Sequence, residues 1–293
     1  MEKECVLNEL SLSGQYESLD DFVATGAKDL VSVLDELHKF GIQVLYKKSD
    51  IYEAEVSSGL KFMSVLFHKE NRINDELKRL KSKLAHLQGE PFWDLDMHQD
   101  LSSTYVMIDT EGNVVKDVSN TGIAEAYARR VYLISFTPSD YNISPILVKK
   151  ENEIEIGVEN YWHSGQFMER LFSAGLITPE DYFKLKFTTK FDFTHIRKSS
   201  GFNLININNI GLFNSAFKKF EGLPWCNIPM DDGLDYKEFT KNRYTKDFFS
   251  SEEWSMKIMK FRVNDEIRCF GYVKSGKFHV LRIDLDHKLS DLG

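Results

Sequence analysis

Residues 255–284 constrain the fold most. They hold three strand-like runs, 256–263, 267–273 and 278–283, separated by Asn264-Asp265-Glu266 and by Lys274-Ser275-Gly276-Lys277. Short runs rich in β-branched and aromatic residues, punctuated by turn formers, make an antiparallel meander. A two-residue turn at Ser275-Gly276 pairs Lys274 with Lys277, Val273 with Phe278, Tyr272 with His279 and Phe270 with Leu281. Alternation then gives an apolar face of Ile267, Cys269, Gly271, Val273, Phe278 and Val280. The opposite face carries Arg268, Phe270, Tyr272, Lys274, Lys277, His279 and Leu281. In the first hairpin only a three-residue loop at Asn264, Asp265 and Glu266 keeps Met259, Phe261 and Val263 on the apolar side. That register adds Lys260 and Arg262 to the polar side and sets Arg262 opposite Arg268. Like charges so placed repel unless an anion sits between them, either a carboxylate of the chain or a phosphate.

Charge distribution sharpens this reading. Residues 240–293 hold eleven Lys and Arg against eight Asp and Glu, a net of +3, in a chain of 293 residues whose formal charge is -8, leaving -11 elsewhere. A charge of -8 excludes a protein that coats nucleic acid or anionic membrane with its whole surface, while a local basic face survives. Basic residues interleaved with aromatics suit single-stranded RNA, whose bases stack on rings and whose phosphates meet cations. The expected RNA-binding residues are Lys260, Arg262, Phe270, Lys274, Lys277 and Arg282. If the face is catalytic, His279 and Tyr272 move protons as a cross-strand pair, and Arg268, with Arg262, stabilises a phosphorane-like transition state. His287 on the exit strand is a further acid or base. This is metal-independent RNA cleavage and requires a face open to solvent. The competing reading is the solvated outer face of an ordinary antiparallel sheet.

Upstream, residues 18–40 place Leu19, Phe22, Leu30, Val33, Leu34 and Leu37 at helical spacing before Gly41, and 42–46 make a short strand. A second helix is expected over 71–87. The middle of the chain is β-rich at 105–108, 114–118, 131–136 and 146–149, with a helix over 121–130. Further helices follow over 164–174 and from Thr178-Pro179, where Thr178 caps and Pro179 takes the first helical position. The asparagine-rich stretch 203–209 leads into another, ending near Lys219. The expected class is α+β, with a mixed domain over 1–174, then helices and an antiparallel meander over 175–293.

No stretch reaches the roughly 20 apolar residues of a membrane span, and residues 1–11 lack the apolar core of a signal peptide, so a cytoplasmic protein is expected. Cys5, Cys226 and Cys269 are too few and too scattered for a disulfide framework. Asp94, Asp96, His98 and Asp100 alternate as metal ligands on an extended chain would, although a solvated loop is the favoured reading. Neither GxGxxG nor P-loop spacing occurs, and no cofactor is expected. A nucleophilic pair of Cys226 with His195 has no local signature; a structural cysteine is favoured.

An ordered string of landmarks carries a resemblance over most of the chain: Asn8-Glu9-Leu10-Ser11, Glu90-Pro91-Phe92-Trp93, Thr121-Gly122-Ile123-Ala124-Glu125-Ala126-Tyr127, Thr137-Pro138-Ser139, Ser144-Pro145-Ile146-Leu147-Val148 and Asn160-Tyr161-Trp162. It resembles an uncharacterised bacterial family found among mobile elements and defence islands. The resemblance implies an anti-phage context and assigns no catalytic residue. The alternative expectation is a non-catalytic defence subunit whose acidic N-terminal domain binds a protein partner encoded nearby, with the basic sheet face as a docking surface. Separately, Arg262, Arg268, the hairpin from Phe270 to Asp284 and His287 resemble the closing meander of RelE-type messenger-RNA interferases. That likeness implies RNA or the ribosome as partner, and is an analogy of short sheets.

Overall fold

The computed structural model describes residues 4–67, 81–82, 89–151, 153–196 and 200–292. The helix expected over 71–87 lies, but for residues 81–82, outside them. The chain is α+β and divides into two compact units, Met1–Phe167 and Met168–Gly293, the division falling ahead of the boundary expected near Gly175. Among the described residues no helix is long and apolar enough to cross a membrane.

In the first unit, β1 (Glu4–Leu7) leads to α1 (Leu19–Phe22), capped by the Ser18 side chain, and through a wide turn at Val23–Ala27 into α2 (Lys28–Lys39). Gly41 stops that helix at a φ of +83°, the left-handed region that favours glycine. The chain returns as β2 (Val44–Tyr46), then makes the small hairpin of β3 (Glu55–Ser57) and β4 (Leu60–Lys61) and helix α3 (Phe62–Phe67). Next come β5 (Tyr105–Ile108), β6 (Val114–Asp117), α4 (Gly122–Arg129), β7 (Tyr132–Ile134), β8 (Ile146–Lys150), β9 (Ile156–Val158) and β10 (Asn160–Tyr161). Two sheets result: a parallel one in the order β10-β7-β1-β2 and an antiparallel one in the order β6-β5-β8-β9. One core joins them, with Val6 and Leu133 from the first, Tyr105, Ile146 and Val148 from the second, and Ile123, Ala126 and Tyr127 from α4.

Beside the carboxyl ends of β1 and β7 runs a fully buried polar ladder. Asn8 donates to Ser135 Oγ (3.0 Å), Ser135 Oγ donates to Asn160 Oδ1 (2.9 Å), and Asn160 Nδ2 donates to the carbonyls of Tyr141 (2.7 Å) and Ile143 (3.0 Å). Ser11 Oγ accepts from Phe136 N at 2.8 Å. Each group finds a partner, as burial demands. Adjacent to it, Glu9 accepts the Gly122 amide that opens α4 at 3.0 and 3.1 Å. Burial pushes the Glu9 carboxyl up to about 7, against the lowering effect of those hydrogen bonds and of Lys48.

The second unit contains α5 (Gln166–Ser173, which begins in the first), α6 (Pro179–Lys186), β11 (Phe191–Asp192), α7 (Ile207–Gly222), β12 (Lys237–Glu238), α8 (Ser251–Ser255), β13 (Met259–Arg262), β14 (Arg268–Lys274), β15 (Lys277–Asp284) and α9 (Lys288–Asp291). Thr178 and Asp181 form the capping box that starts α6. The sheet order is β11-β15-β14-β13-β12; β11 runs parallel to β15 and the other pairs are antiparallel. Phenylalanines fill the side facing α6 and α7: Phe183, Phe213, Phe217 and Phe220 pack with Phe191, Phe261 and Phe278.

The register follows the hydrophobic pattern up to one point. Lys274 pairs with Lys277, Val273 with Phe278, Tyr272 with His279, and Arg262 with Arg268. A bulge between Phe270 and Gly271 then pairs Phe270 with Arg282, where unbroken alternation expects Leu281. Gly271 is required there, because a Cβ would lie 2.2 Å from the His279 carbonyl oxygen and 2.6 Å from the Phe278 ring.

The expected open basic face is corrected by the same sheet. Phe270 and Leu281 belong to a second core with Phe239, Phe249, Ile258, Tyr272 and Leu289, and Phe248, Trp254 and Met256 pack against it. Phe270 is fully buried, and Lys260, Arg268 and Tyr272 are 7–8% exposed. The cover consists of residues 239–256 and α9, whereas α7 packs on the other face.

Candidate functional site

Of the expected RNA-binding cations Lys260 is buried, and half-buried Arg262 and Arg282 are engaged by the chain itself, as is buried Arg268. Lys260 donates to Ser290 Oγ (3.1 Å) and lies over the Phe239 ring. Arg268 donates to the carbonyls of Asn264 and Ile267. The anion demanded by the Arg262–Arg268 pair comes from the chain itself: Asp235 Oδ2 is 3.5 Å from Arg262 Nη2, and Asp235, Asp265 and Asp284, the last the register partner of Arg268 on β15, set negative charge near Arg268. Burial lowers the Lys260 ammonium and the Arg268 guanidinium, neighbouring cations add to this, and Asp235 and Asp284 oppose it. Arg282 donates to the Phe248 carbonyl at 3.2 Å and lies over that ring. His287 stands at the turn into α9 with a φ of +61°.

What stays open is a cleft of about 260 Å³ at the Ser275-Gly276 end of the sheet, lined by Asp192, His195, Tyr272, Lys274, Ser275, Lys277 and His279. Positive φ at both turn residues, +52° and +74°, matches the tight twist of a two-residue hairpin and projects the lysines beside the cleft. Parallel pairing of β11 with β15 sets Asp192 beside His279. The His279 ring stacks on Tyr272, centroids 4.8 Å apart and planes 4° apart, and lies 5.7 Å from the His195 ring. Its Nε2 is 3.3 Å from the Lys274 carbonyl and its Nδ1 is 3.7 Å from Asp192 Oδ2. Nδ1 is buried and lacks a hydrogen bond among the described residues.

Asp192 is itself fixed by Thr194, whose amide and hydroxyl donate to Oδ1 at 2.8 and 2.5 Å. That turn presents the exposed His195. Burial raises the Asp192 carboxyl, but the Thr194 hydrogen bonds and the charges of His279 and His195 outweigh it, so the group sits below the usual range and stays ionised. The Tyr272 phenol is pushed up by burial and by the Asp192 charge, which makes it a hydrogen-bond donor and stacking platform at neutral pH. Two imidazoles, a carboxylate 3.7 Å from one of them and two lysines at one opening make a general acid–base arrangement suited to an anionic substrate.

Of the expected catalytic residues, the cleft unites His279 with Tyr272 and leaves out Arg268 and His287; of the binding residues it keeps Lys274 and Lys277. Sequence reasoning missed Asp192 and missed His195 in this role. The alternation of Phe191 and Phe193 with Asp192 and Thr194 was the available signal. Asp94 accepts from Ser49, Asp96 meets Arg129, and Asp100 accepts from Ser102 and Ser103. Among the described residues no three His, Cys, Asp or Glu side chains gather as a metal site. Cys226 is exposed, and Cys5 and Cys269 are buried with their thiols pushed up by desolvation. Comparison with protein families, curated proteins and solved structures gives no match.

Proposed function

We propose that the chain is a cytoplasmic RNA-directed effector of a bacterial anti-phage or toxin-like system, and that it cuts RNA without metal in the cleft around His279. The observation that carries this is the pair of imidazoles 5.7 Å apart at an opening flanked by Lys274 and Lys277. In the proposed step His195 takes the proton of a ribose 2′-hydroxyl, whose oxygen attacks the adjacent phosphorus. His279, oriented by Asp192, gives a proton to the departing 5′-oxygen, leaving a 2′,3′-cyclic phosphate and a 5′-hydroxyl. Lys274 and Lys277 neutralise the phosphate as charge builds.

Purified protein incubated with single-stranded RNA in EDTA tests the reading. The expected result is cleavage with cyclic-phosphate ends, reduced at least about 100-fold by His279→Ala or by His195→Ala. Intact RNA with the wild type, or full activity in the double variant, overturns it. The alternative, a non-catalytic subunit that binds a protein partner, draws on edge strand β6, all four of whose residues are exposed, including Val114 and Val115. A stable complex with a neighbouring gene product and no cleavage would favour it.

A further inference from the structure

Lys47, immediately after edge strand β2, is 1% exposed. Tyr46 faces the core shared with the antiparallel sheet, so alternation turns Leu45 and Lys47 to the opposite side, toward α2. There a cavity of about 390 Å³ is lined by Cys5, Leu34, Leu37, Ile42, Leu45 and Lys47 among others, a size that suits a small ligand. Lys47 Nζ donates to the Pro91 carbonyl at 3.3 Å and lies 4.8 Å over the Phe92 ring. Pro91 also lines the cavity. Among the described residues no carboxylate pairs with this ammonium. Burial lowers its pKa to about 8, so it remains mostly charged at neutral pH. A buried cation with one carbonyl and one ring for company carries an unmet demand for an anion.

We propose that this cavity binds a small aliphatic carboxylate, its hydrocarbon lying along Leu34, Leu37 and Ile42 and its carboxylate meeting the Lys47 ammonium. The apolar lining supplies affinity for the chain of the ligand. The cation selects acid over alcohol, because a carboxylate brings a charge that pairs with the ammonium whereas a hydroxyl offers only a neutral acceptor. Cys5, His38 and Glu90 are the other titratable groups around the cavity. Burial pushes the Cys5 thiol up and keeps it neutral, and Glu90 is exposed.

Calorimetric titration of the full chain with decanoate and with decanol is the test. Decanoate is expected to bind at least about tenfold more tightly than decanol, and Lys47→Met to remove that preference while decanol binding persists. Above about pH 8 decanoate affinity falls as the ammonium is lost; His38→Gln and Glu90→Gln leave that break in place. Because Lys47→Met alters a buried position, the wild-type chain with ¹³Cε-labelled lysine supplies a second readout: the Lys47 titration midpoint rises on adding decanoate. Equal binding of acid and alcohol, no decanoate binding, or an unmoved Lys47 midpoint would each overturn the proposal.

Discussion

The polar ladder of the first unit, built of amides and hydroxyls, and the outer cleft of the second, built of imidazoles, a carboxylate and lysines, put polar side chains to opposite ends. In the ladder, Asn8, Ser135 and Asn160 are fully buried and every hydrogen bond is answered within the unit. In the cleft, His279 Nδ1 has no hydrogen bond among the described residues, His195 is exposed, and the lysines stand at the opening. Satisfied burial marks a group that holds the fold together; a cleft whose lining includes a buried nitrogen without a hydrogen bond, an exposed imidazole and lysines at its mouth is open to a ligand.

The largest expected effect breaks the ladder. Asn160→Ala strips Ser135 Oγ and the Tyr141 and Ile143 carbonyls of a buried partner, and should cost about 3 kcal/mol in urea denaturation. A loss below about 1 kcal/mol would mean that the ladder does not carry the fold.

Glu9 gives a smaller, pH-dependent effect. Its carboxyl holds a proton up to about pH 7 in the folded chain, against an ordinary 4.5. Between those values the folded state binds more protons than the unfolded one, so its contribution is full below pH 4.5 and is lost as pH rises through 7. Discounted for partial exposure, Glu9→Gln should flatten the stability curve across that window by about 1–2 kcal/mol. A curve of unchanged slope would remove Glu9 as the titrating group.

The smallest stability effects belong to the cleft. His279→Ala is expected to shift unfolding by no more than about 1 kcal/mol, and exposed His195→Ala by no more than about 0.5 kcal/mol. A loss above about 2 kcal/mol for His279→Ala, measured in the same denaturation, would move that residue to the structural side of the comparison.

The parts of this molecule legible in sequence were those written locally. Ser275-Gly276 set the hairpin that pairs Tyr272 with His279, Thr178-Pro179 opened α6, and the three-residue loop brought Arg262 against Arg268. The bulge at Phe270 and Gly271 was hidden because unbroken alternation already gave a consistent face, although Gly271 inside the strand was a local signal for it. The cover over Phe270 was hidden because Phe239, Phe248, Phe249 and Trp254 come from a stretch of short turns without helical or strand period. Asp192 joins His279 only through parallel pairing of segments far apart in the chain, which spacing does not encode. Asn8, Ser11, Ser135 and Asn160, all within or beside the recognisable landmarks, meet in the ladder, so part of that string has a structural reason for its residues.

The near-parallel stack of His279 on Tyr272 also gives the cleft an intrinsic magnetic label. A proton held over an aromatic face is shielded by the circulating electrons of the ring, so the His279 carbon-bound protons should resonate upfield of those of the other seven histidines. That displacement would let one imidazole be followed spectroscopically in the intact chain, with no probe attached, while RNA is added.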